Sequence, residues 1–199
     1  MAIIASERDF FNRLATSWDD MRDVNEHMLT YLSGLMGLEQ GDRVLDIGSG
    51  TGVLLPFIHR GIGSTGMITA LDFSEKMLEC AEQKFKNLSN ISFAATDIMT
   101  FQNDYFYDKV VCLNFFPHVQ NKQTFLLKIY SLLKPGGSLF IMHDIPRSAV
   151  NAIHESSEIV KEDRLPEGSV LSEMLVSANF RVETMIDDEQ CYFIKVVTV

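Results

Sequence analysis

The clearest chemical pattern in the sequence lies between Asp46 and Gly52, where glycines occupy every second position after an aspartate. A short apolar run, Arg43–Ile47, leads into the glycines and predicts a strand that enters a tight turn. Glycines adopt backbone dihedrals that other residues avoid, and they let a ligand approach the main chain closely. In open α/β sheets this first strand-to-helix turn is the usual place for a ligand. We therefore predict a ligand-binding loop here.

The spacing of the glycines distinguishes between ligands. A dinucleotide-binding turn has the pattern G-x-G-x-x-G, which would place its third glycine at position 53. This chain has Val53 there. The negative charge of Asp46 also suits a cationic amino group better than a diphosphate. A dinucleotide-dependent oxidoreductase is therefore disfavoured.

Two further carboxylates lie where the next two strands are predicted to end. Asp72 is placed to accept hydrogen bonds from both hydroxyls of a ribose. Asp97 suits an exocyclic amine, and Ile98 would pack against a ring. With the glycine turn, they predict a ligand that has an amino group, a ribose and a purine but no phosphates. Each aspartate by itself is equally consistent with a turn or helix cap.

Short apolar segments alternate with amphipathic ones from residue 41 onward. The predicted strands are Arg43–Ile47, Met67–Leu71, Ile91–Ala95, Lys109–Leu113, Ser138–Met142, Phe180–Met185 and Tyr192–Val197. The predicted helices are Thr51–Ile62, Ser74–Phe85, Lys122–Leu133 and Glu167–Ala178. This alternation predicts a doubly wound α/β fold, with a mostly parallel sheet covered on both faces and an antiparallel hairpin at the end. Residues 6–40 are predicted to be helical, with Ser6 as the first N-cap.

The length of 199 residues fits one domain, which we divide into an N-terminal helical cap (1–40) and an α/β body (41–199). The net charge of −10 disfavours a nucleic-acid partner, because phosphate binding relies on clustered Lys and Arg. No apolar stretch approaches the roughly 20 residues of a membrane span, and the N-terminus does not have the pattern of a signal peptide. We expect a cytoplasmic protein without a membrane partner.

The ordered set of motifs resembles the class I S-adenosylmethionine-dependent methyltransferases, specifically small-molecule members similar to UbiE. The matching segments are Asp46–Gly52, Asp72, Asp97, Asn114–His118 and Leu133–Gly137. The resemblance covers about residues 41–145. In addition, Phe11–Asp19 is similar to a pattern in the helical cap of many small-molecule members.

This resemblance implies a Rossmann-like sheet of seven strands with the last strand antiparallel, S-adenosylmethionine as cofactor, and methyl transfer to a small-molecule acceptor. It places Asp46 near the amino-acid part of the cofactor, Asp72 at the ribose, and Asn114 and Phe115 beside the methionine moiety. The implied cofactor-binding residues are Asp46, Gly48, Ser49, Gly50, Gly52, Asp72, Phe73, Met77, Asp97, Ile98, Asn114 and Phe115.

A sulfonium methyl group is already activated, so the enzyme has to position a nucleophile and, for some acceptors, remove its proton. His118 and His143 are the candidate catalytic residues. The candidate substrate contacts are Trp18, His118, His143, Asp144, Arg147 and His154. Each histidine is also consistent with a hydrogen-bonded structural side chain, and Arg147 with a surface ion pair. A metal site at His143, Asp144, His154 and Glu155 is disfavoured, because no ligand spacing requires it.

Several alternatives remain open at this point. The aromatic residues of the cap (Phe10, Phe11, Trp18 and Tyr31) either close over the site or only pack against the body. A double proline after Asn114, typical of enzymes that methylate nucleobase amines, is missing, which favours a metabolite as acceptor. The chain also fits a cofactor-binding regulatory protein or pseudo-enzyme, or an enzyme that transfers another group from a related cofactor. The acceptor and the oligomeric state are not predicted.

Overall fold

A computed structural model describes residues 2–21 and 23–199. Its centre is a seven-stranded sheet in the order β3-β2-β1-β4-β5-β7-β6. The strands are β1 (Arg43–Ile47), β2 (Met67–Asp72), β3 (Ile91–Ala95), β4 (Tyr107–Leu113), β5 (Leu133–His143), β6 (Phe180–Asp187) and β7 (Tyr192–Thr198). The first five strands are parallel, and β7 is antiparallel to both β5 and β6. The predicted fold class is confirmed.

Helices cover both faces of this sheet. They are α1 (Ala2–Leu14), α2 (Glu26–Leu35), α3 (Leu55–Ile62), α4 (Glu75–Phe85), α5 (Lys122–Leu132), α6 (Arg147–Glu155) and α7 (Gly168–Ser177). Helices α2, α3 and α4 contribute to the core on one face, and α5, α6 and α7 to the core on the other. None of these described helices has the length and apolar character needed to cross a bilayer.

Strand β5 contributes side chains to the cores on both faces of the sheet. Leu139 and Ile141 belong to the core under α5 and α7, whereas Phe140 and Met142 belong to the core under α2 and α3. All four side chains are fully buried. Successive side chains of a strand point to opposite faces, so a strand covered on both faces is apolar throughout. This is why the predicted strands are continuous apolar runs.

The strand order reverses between β1 and β4. From β1 the chain proceeds outward through β2 and β3, and it returns to the other side of β1 as β4. The loops after β1 and β4 therefore diverge and leave a crevice at the carboxyl ends of these strands. Open α/β sheets bind their ligands in such a crevice.

Three helical predictions differ from the structure. Helix α3 begins at Leu55, with Pro56 in its first turn, because the preceding residues form turns that complete the glycine loop. Helix α1 begins at Ala2, so Ser6 lies within the helix and is not its N-cap. Helix α6 was not predicted, since it is short and only Val150 and His154 are buried along it.

Helix α1 is held against the start of α4 by polar contacts. The Asn12 Oδ1 atom accepts a hydrogen bond from the Ser74 hydroxyl (2.7 Å), and its Nδ2 atom donates to Glu75 (3.1 Å). Arg8 forms an ion pair with Glu75 at 2.8 Å. Ser74 is also the N-cap of α4, where its hydroxyl accepts from the Met77 N–H (3.2 Å). One asparagine thus connects α1 to the cap of α4.

We expect Asn12→Ala to loosen α1 while leaving the sheet intact. Three hydrogen bonds are lost, because the Asn12 Oδ1 atom also accepts from the Lys76 N–H at 3.3 Å. A net loss of roughly 1 to 2 kcal/mol should accelerate amide hydrogen exchange in α1 about 5- to 30-fold. Hydrogen exchange with mass spectrometry measures this, and Asn87→Ala, at an exposed asparagine after α4, is the matched control. Unchanged exchange in α1 would show that Asn12 does not hold the helix in place.

Candidate active site

A cavity of about 890 Å³ lies at the carboxyl ends of β1, β2, β4 and β5. This volume is within the range of small-molecule and cofactor sites. The cavity is lined on one side by residues of α1, including Phe10, Phe11 and Leu14, and by Trp18 just after this helix. The rest of its wall comes from the loops that follow the strands, so it occupies the crevice where the strand order reverses.

The glycine turn forms one wall of the cavity. Gly48 and Gly50 have positive φ angles (68° and 54°), which favour glycine. The N–H groups of Gly48 and Ser49 donate to the Leu71 carbonyl at 2.8 and 3.0 Å, which attaches the turn to the end of β2. A Cβ atom at position 48 would collide with the Phe115 ring. The turn therefore requires glycine at position 48, both for its backbone angle and for space.

Gly52 lies outside the lining of the cavity. A Cβ atom there would lie 2.6 Å from the Phe85 side chain and 2.8 Å from the Leu55 side chain. Its φ angle of 87° favours glycine, and the turn continues beyond it to Leu54. Glycine at position 52 thus allows the turn to pack closely against α3 and α4.

Asp72 connects the glycine turn to α4. One carboxylate oxygen accepts from the Gly50 N–H (2.9 Å), and the other accepts from the Ser74 N–H (2.8 Å). The residue is 7% exposed, and burial raises the pKa of Asp72 to about 6 against the opposing effect of these hydrogen bonds. Each carboxylate oxygen can accept further hydrogen bonds, so hydroxyl groups of a ligand can still bind.

Asp46 lies beside Asp72 and is almost completely buried. Burial, followed by the charge of Asp72, raises the pKa of Asp46 to about 8. Among the residues that the structure describes, its Oδ2 atom has no hydrogen-bond partner, and the same is true of the buried Ser49 hydroxyl. Buried polar atoms are rarely left without a partner. A ligand that brings an ammonium group and further polar atoms to this wall fits both positions.

Apolar residues line the part of the wall predicted to bind a purine. Ile98 and Met77 are buried and line the cavity, as does the half-buried Phe73. Asp97 accepts a hydrogen bond from the Met99 N–H (2.8 Å) through one oxygen, which fixes its side chain at the turn. The structure thus brings the predicted ring-binding residues together with a carboxylate at their edge.

Asn114 joins the ends of β4 and β5. Its backbone N–H donates to the Met142 carbonyl (2.9 Å), and its side-chain amide donates to Asp144 (2.7 Å). Its φ angle is 54°, a left-handed conformation that asparagine tolerates better than most residues and that occurs often at functional sites. Asn114 and Phe115 both line the cavity.

Two histidines of the cavity are oriented by the same residue. The Nδ1 atom of His118 lies 2.7 Å from the Asp163 carboxylate, and the Nδ1 atom of His154 lies 2.9 Å from the Asp163 carbonyl. A carbonyl only accepts, so Nδ1 of His154 carries a hydrogen. A hydrogen on Nδ1 of His118 leaves its Nε2 atom as a proton acceptor. The two rings are 5.1 Å apart between centroids.

His143 is in a different environment. It is 2% exposed, and its Nε2 atom has no hydrogen-bond partner among the described residues. Burial lowers the pKa of His143 to about 3, with further lowering from His118 and His154. The ring is therefore neutral near physiological pH. It is a hydrogen-bonding group at the cavity wall but a weak proton acceptor.

The candidate substrate contacts are divided between the cavity and its outside. Trp18, Asp144 and His154 line the cavity. Arg147 lies outside the lining, and its Nε atom donates to Asp187 of β6 at 2.9 Å in an ion pair, in agreement with the second interpretation given above. Among the aromatic residues of the cap, Tyr31 is half exposed on α2 and also lies outside the lining.

Sequence analysis did not identify Glu7 or Asp163. Glu7 is in the first helix, and Asp163 is in a polar connection with other acidic residues around it. Nothing in the local sequence separates either residue from a solvated surface carboxylate. In the structure both are buried (6% and 7% exposed) and close to His118.

Comparison with known proteins identifies the family. A family profile described as a methyltransferase domain matches residues 38–188. A demethylmenaquinone methyltransferase from Tropheryma whipplei is 31% identical over 69% of this chain and 58% of its own length. A malonyl-[acyl-carrier protein] O-methyltransferase from Bacillus cytotoxicus is 28% identical over 77% of this chain and 54% of its own length. This chain therefore spans little more than half the length of these relatives.

Solved structures share the fold. A SAM-dependent methyltransferase from Aquifex aeolicus superposes with a TM-score of 0.76 at 20% identity, covering 93% of this chain and 98% of that protein. The extent of the family match and the order of the strands agree with the resemblance found in the motifs. This chain belongs to the methyltransferase domain family and is a member of the class I S-adenosylmethionine-dependent methyltransferases.

Proposed function

We propose that this protein binds S-adenosylmethionine and transfers its methyl group to a small-molecule acceptor. The observation that carries the proposal is the pair of buried carboxylates at the glycine turn. Asp46 has an unpartnered oxygen, and Asp72 holds the turn while retaining acceptor capacity. A ligand with an ammonium group and a ribose, but without phosphates, suits this pair.

The remaining cofactor-binding residues would surround the other parts of the ligand. Asp72 would accept from the ribose hydroxyls, and Asp97 would accept from the exocyclic amine of the adenine between Ile98 and Met77. Asn114 and Phe115 would lie beside the methionine moiety. When bound, the cofactor supplies an activated methyl group. The contribution of this chain is to bind, orient and shield the reactants.

The acceptor half of the cavity lies between α1 and α6. Phe10, Phe11 and Leu14 from α1 and Val150 and Ile153 from α6 all line the cavity, which gives this part an apolar character suited to excluding water. His118 lies within this half, and Asp163 orients its ring. We assign His118 the role of proton acceptor for the acceptor nucleophile and Asp163 that of positioning residue. His143 would act as a hydrogen-bonding group.

The N-terminal helices are then a cap that belongs to the same domain as the sheet. Helix α1 supplies part of the cavity wall, and its contacts with α4 support this assignment. The names of the relatives give a malonyl group on a carrier protein and a menaquinone precursor as acceptors. For this chain we propose only the broader class of a small molecule.

We expect Asp72→Asn to weaken binding of S-adenosylmethionine and S-adenosylhomocysteine by about 10- to 100-fold. The substitution removes a charge-assisted acceptor and places an amide where the Gly50 and Ser74 N–H groups donate. Isothermal titration calorimetry measures the affinity, and Asp104→Asn, at an exposed loop carboxylate, is the control. Binding of NAD instead, or full affinity in a folded Asp72→Asn variant, would contradict the proposed site.

Binding should also release protons through Asp46. With a pKa of about 8, this carboxyl group is protonated at neutral pH in the ligand-free protein. A bound ammonium group favours the ionised form, so the pKa falls and a proton leaves. Affinity for S-adenosylhomocysteine should therefore rise as the pH increases toward about 8. Calorimetry in buffers of different ionisation enthalpy measures the released protons, and Asp46→Asn should abolish most of this release. Equal release from both proteins would rule out this role.

Methyl transfer should depend on His118 much more strongly than cofactor binding depends on this residue. Removing a general base costs about 100- to 10,000-fold in rate. We expect His118→Gln to lose transfer of labelled methyl groups to the small-molecule fraction of a cell extract while its affinity for S-adenosylhomocysteine changes little. Asp163→Asn should give a smaller loss. The exposed His27→Gln is the control. Full transfer by His118→Gln would show that another group accepts the proton of the acceptor nucleophile. Cofactor binding without methyl transfer by the unaltered protein would indicate a pseudo-enzyme.

A further inference from the structure

Glu7 is a buried carboxylate that the proposed cofactor site does not use. It is on α1, is 6% exposed, and has no hydrogen bond or ion pair with any described residue. Its side chain lines both the main cavity and a smaller adjoining cavity of about 390 Å³. Its oxygens are not among the polar atoms that the fold closes off from solvent, so they face the space of these cavities and a ligand can reach them. Glu7 is therefore positioned for a partner that the chain itself does not supply.

Acidic side chains predominate around Glu7. The described residues that line the main cavity include six carboxylates and neither Lys nor Arg. The smaller cavity adds Glu158, Glu162 and Asp163, with Lys122 as its cation. The Lys122 ammonium group donates to the carbonyls of Pro117 (3.3 Å) and Val119 (3.0 Å), and it forms no ion pair with Glu7.

The neighbours of Glu7 do not neutralise it. Burial raises the pKa of Glu7, the charge of Asp163 adds to this effect, and His118 opposes it. The Nδ1 atom of His118, however, is bonded to Asp163. Among the described residues no group of three or more His, Cys, Asp or Glu side chains is arranged for a metal ion. An organic cation is therefore a better partner for this position than a metal.

Aromatic rings stand next to this carboxylate. Phe10 and Phe11 are edge to face with centroids 5.4 Å apart, and Phe11 lies 5.5 Å from Trp18 and 6.1 Å from His118. All four rings line the main cavity together with Glu7. Aromatic faces attract cations, and they also provide apolar surface for a ring or a hydrocarbon chain. The wall thus combines an unpaired negative charge with an aromatic surface.

We propose that Glu7 binds a cationic group of the acceptor, and that the acceptor is an aromatic or apolar amine. This inference rests on the proposed function, because it names the class of molecule that occupies the acceptor half of the same cavity. A carboxylate or phosphate would meet Glu7 in that half without a counter-ion, since no described Lys or Arg lines the main cavity. Glu7 would pair with the cationic group of the acceptor, and the aromatic rings would contact its apolar part.

The test compares three ligands of similar shape and different charge. Tryptamine (ammonium), tryptophol (neutral) and indole-3-propionate (carboxylate) are titrated calorimetrically into the protein with and without saturating S-adenosylhomocysteine. We expect tryptamine to bind most tightly and indole-3-propionate most weakly. Glu7→Gln should weaken tryptamine by about tenfold or more and leave tryptophol almost unchanged, because only the charged ligand loses its counter-ion.

Two controls distinguish loss of the proposed charge contact from other effects of the substitution. Glu162→Gln, at an exposed carboxylate of the smaller cavity, should leave tryptamine binding nearly unaltered. Glu7→Gln should unfold at the same temperature as the unaltered protein or a higher one, since an unpaired buried charge is removed; a lower temperature would indicate a structural role. Equal affinities for the three ligands, preference for the carboxylate, or no binding of tryptamine in the millimolar range would overturn the inference. Failure of S-adenosylhomocysteine to bind would instead contradict the proposed function.

Discussion

The site depends above all on the hydrogen bonds that the buried Asp72 carboxylate accepts from two backbone N–H groups. Through the Gly50 and Ser74 N–H groups it joins the turn after β1 to the start of α4. Ser74 in turn caps α4 and donates to Asn12, so the position of α1 follows from the same connection. If this carboxylate were displaced, the glycine turn, the first turn of α4 and the cavity wall formed by α1 would all lose a common anchor.

This arrangement buries two neighbouring carboxyl groups, from which the protein without ligand gains little stability. Asp46 and Asp72 are both buried at the same turn, and burial raises the pKa of each. Such groups cost stability in the ligand-free state, and they are common at sites that are preorganised for a charged ligand. Glu7, in the other half of the cavity, is likewise a buried carboxylate whose pKa is raised by burial. The two ends of the cavity are each built around a carboxylate whose partner would come from outside the chain.

The two halves of the cavity come from different kinds of structure. The half assigned to the cofactor is formed by loops that leave the central strands directly, so the sheet fixes their positions. The half assigned to the acceptor comes mainly from α1, α6 and the connection that carries Asp163. Helix α1 is held by polar contacts to the start of α4, and along α6 only Val150 and His154 are buried. One fold can therefore keep the loops at its strand ends while the segments that cover them differ between proteins.

The sequence by itself determined the seven strands, the doubly wound arrangement and the residues of the glycine turn. These features follow from local patterns: apolar runs predict buried strands, and glycines and aspartates at strand ends predict a ligand-binding edge. It did not reveal α6, whose two buried residues give too weak a periodicity, or that the ion-pair partner of Arg147 is Asp187. Only the tertiary structure decided that Glu7 and Asp163 meet His118, because these residues are far apart in the chain. Burial and partnership are properties of the folded chain, and in sequence a buried carboxylate has the same appearance as a solvated one.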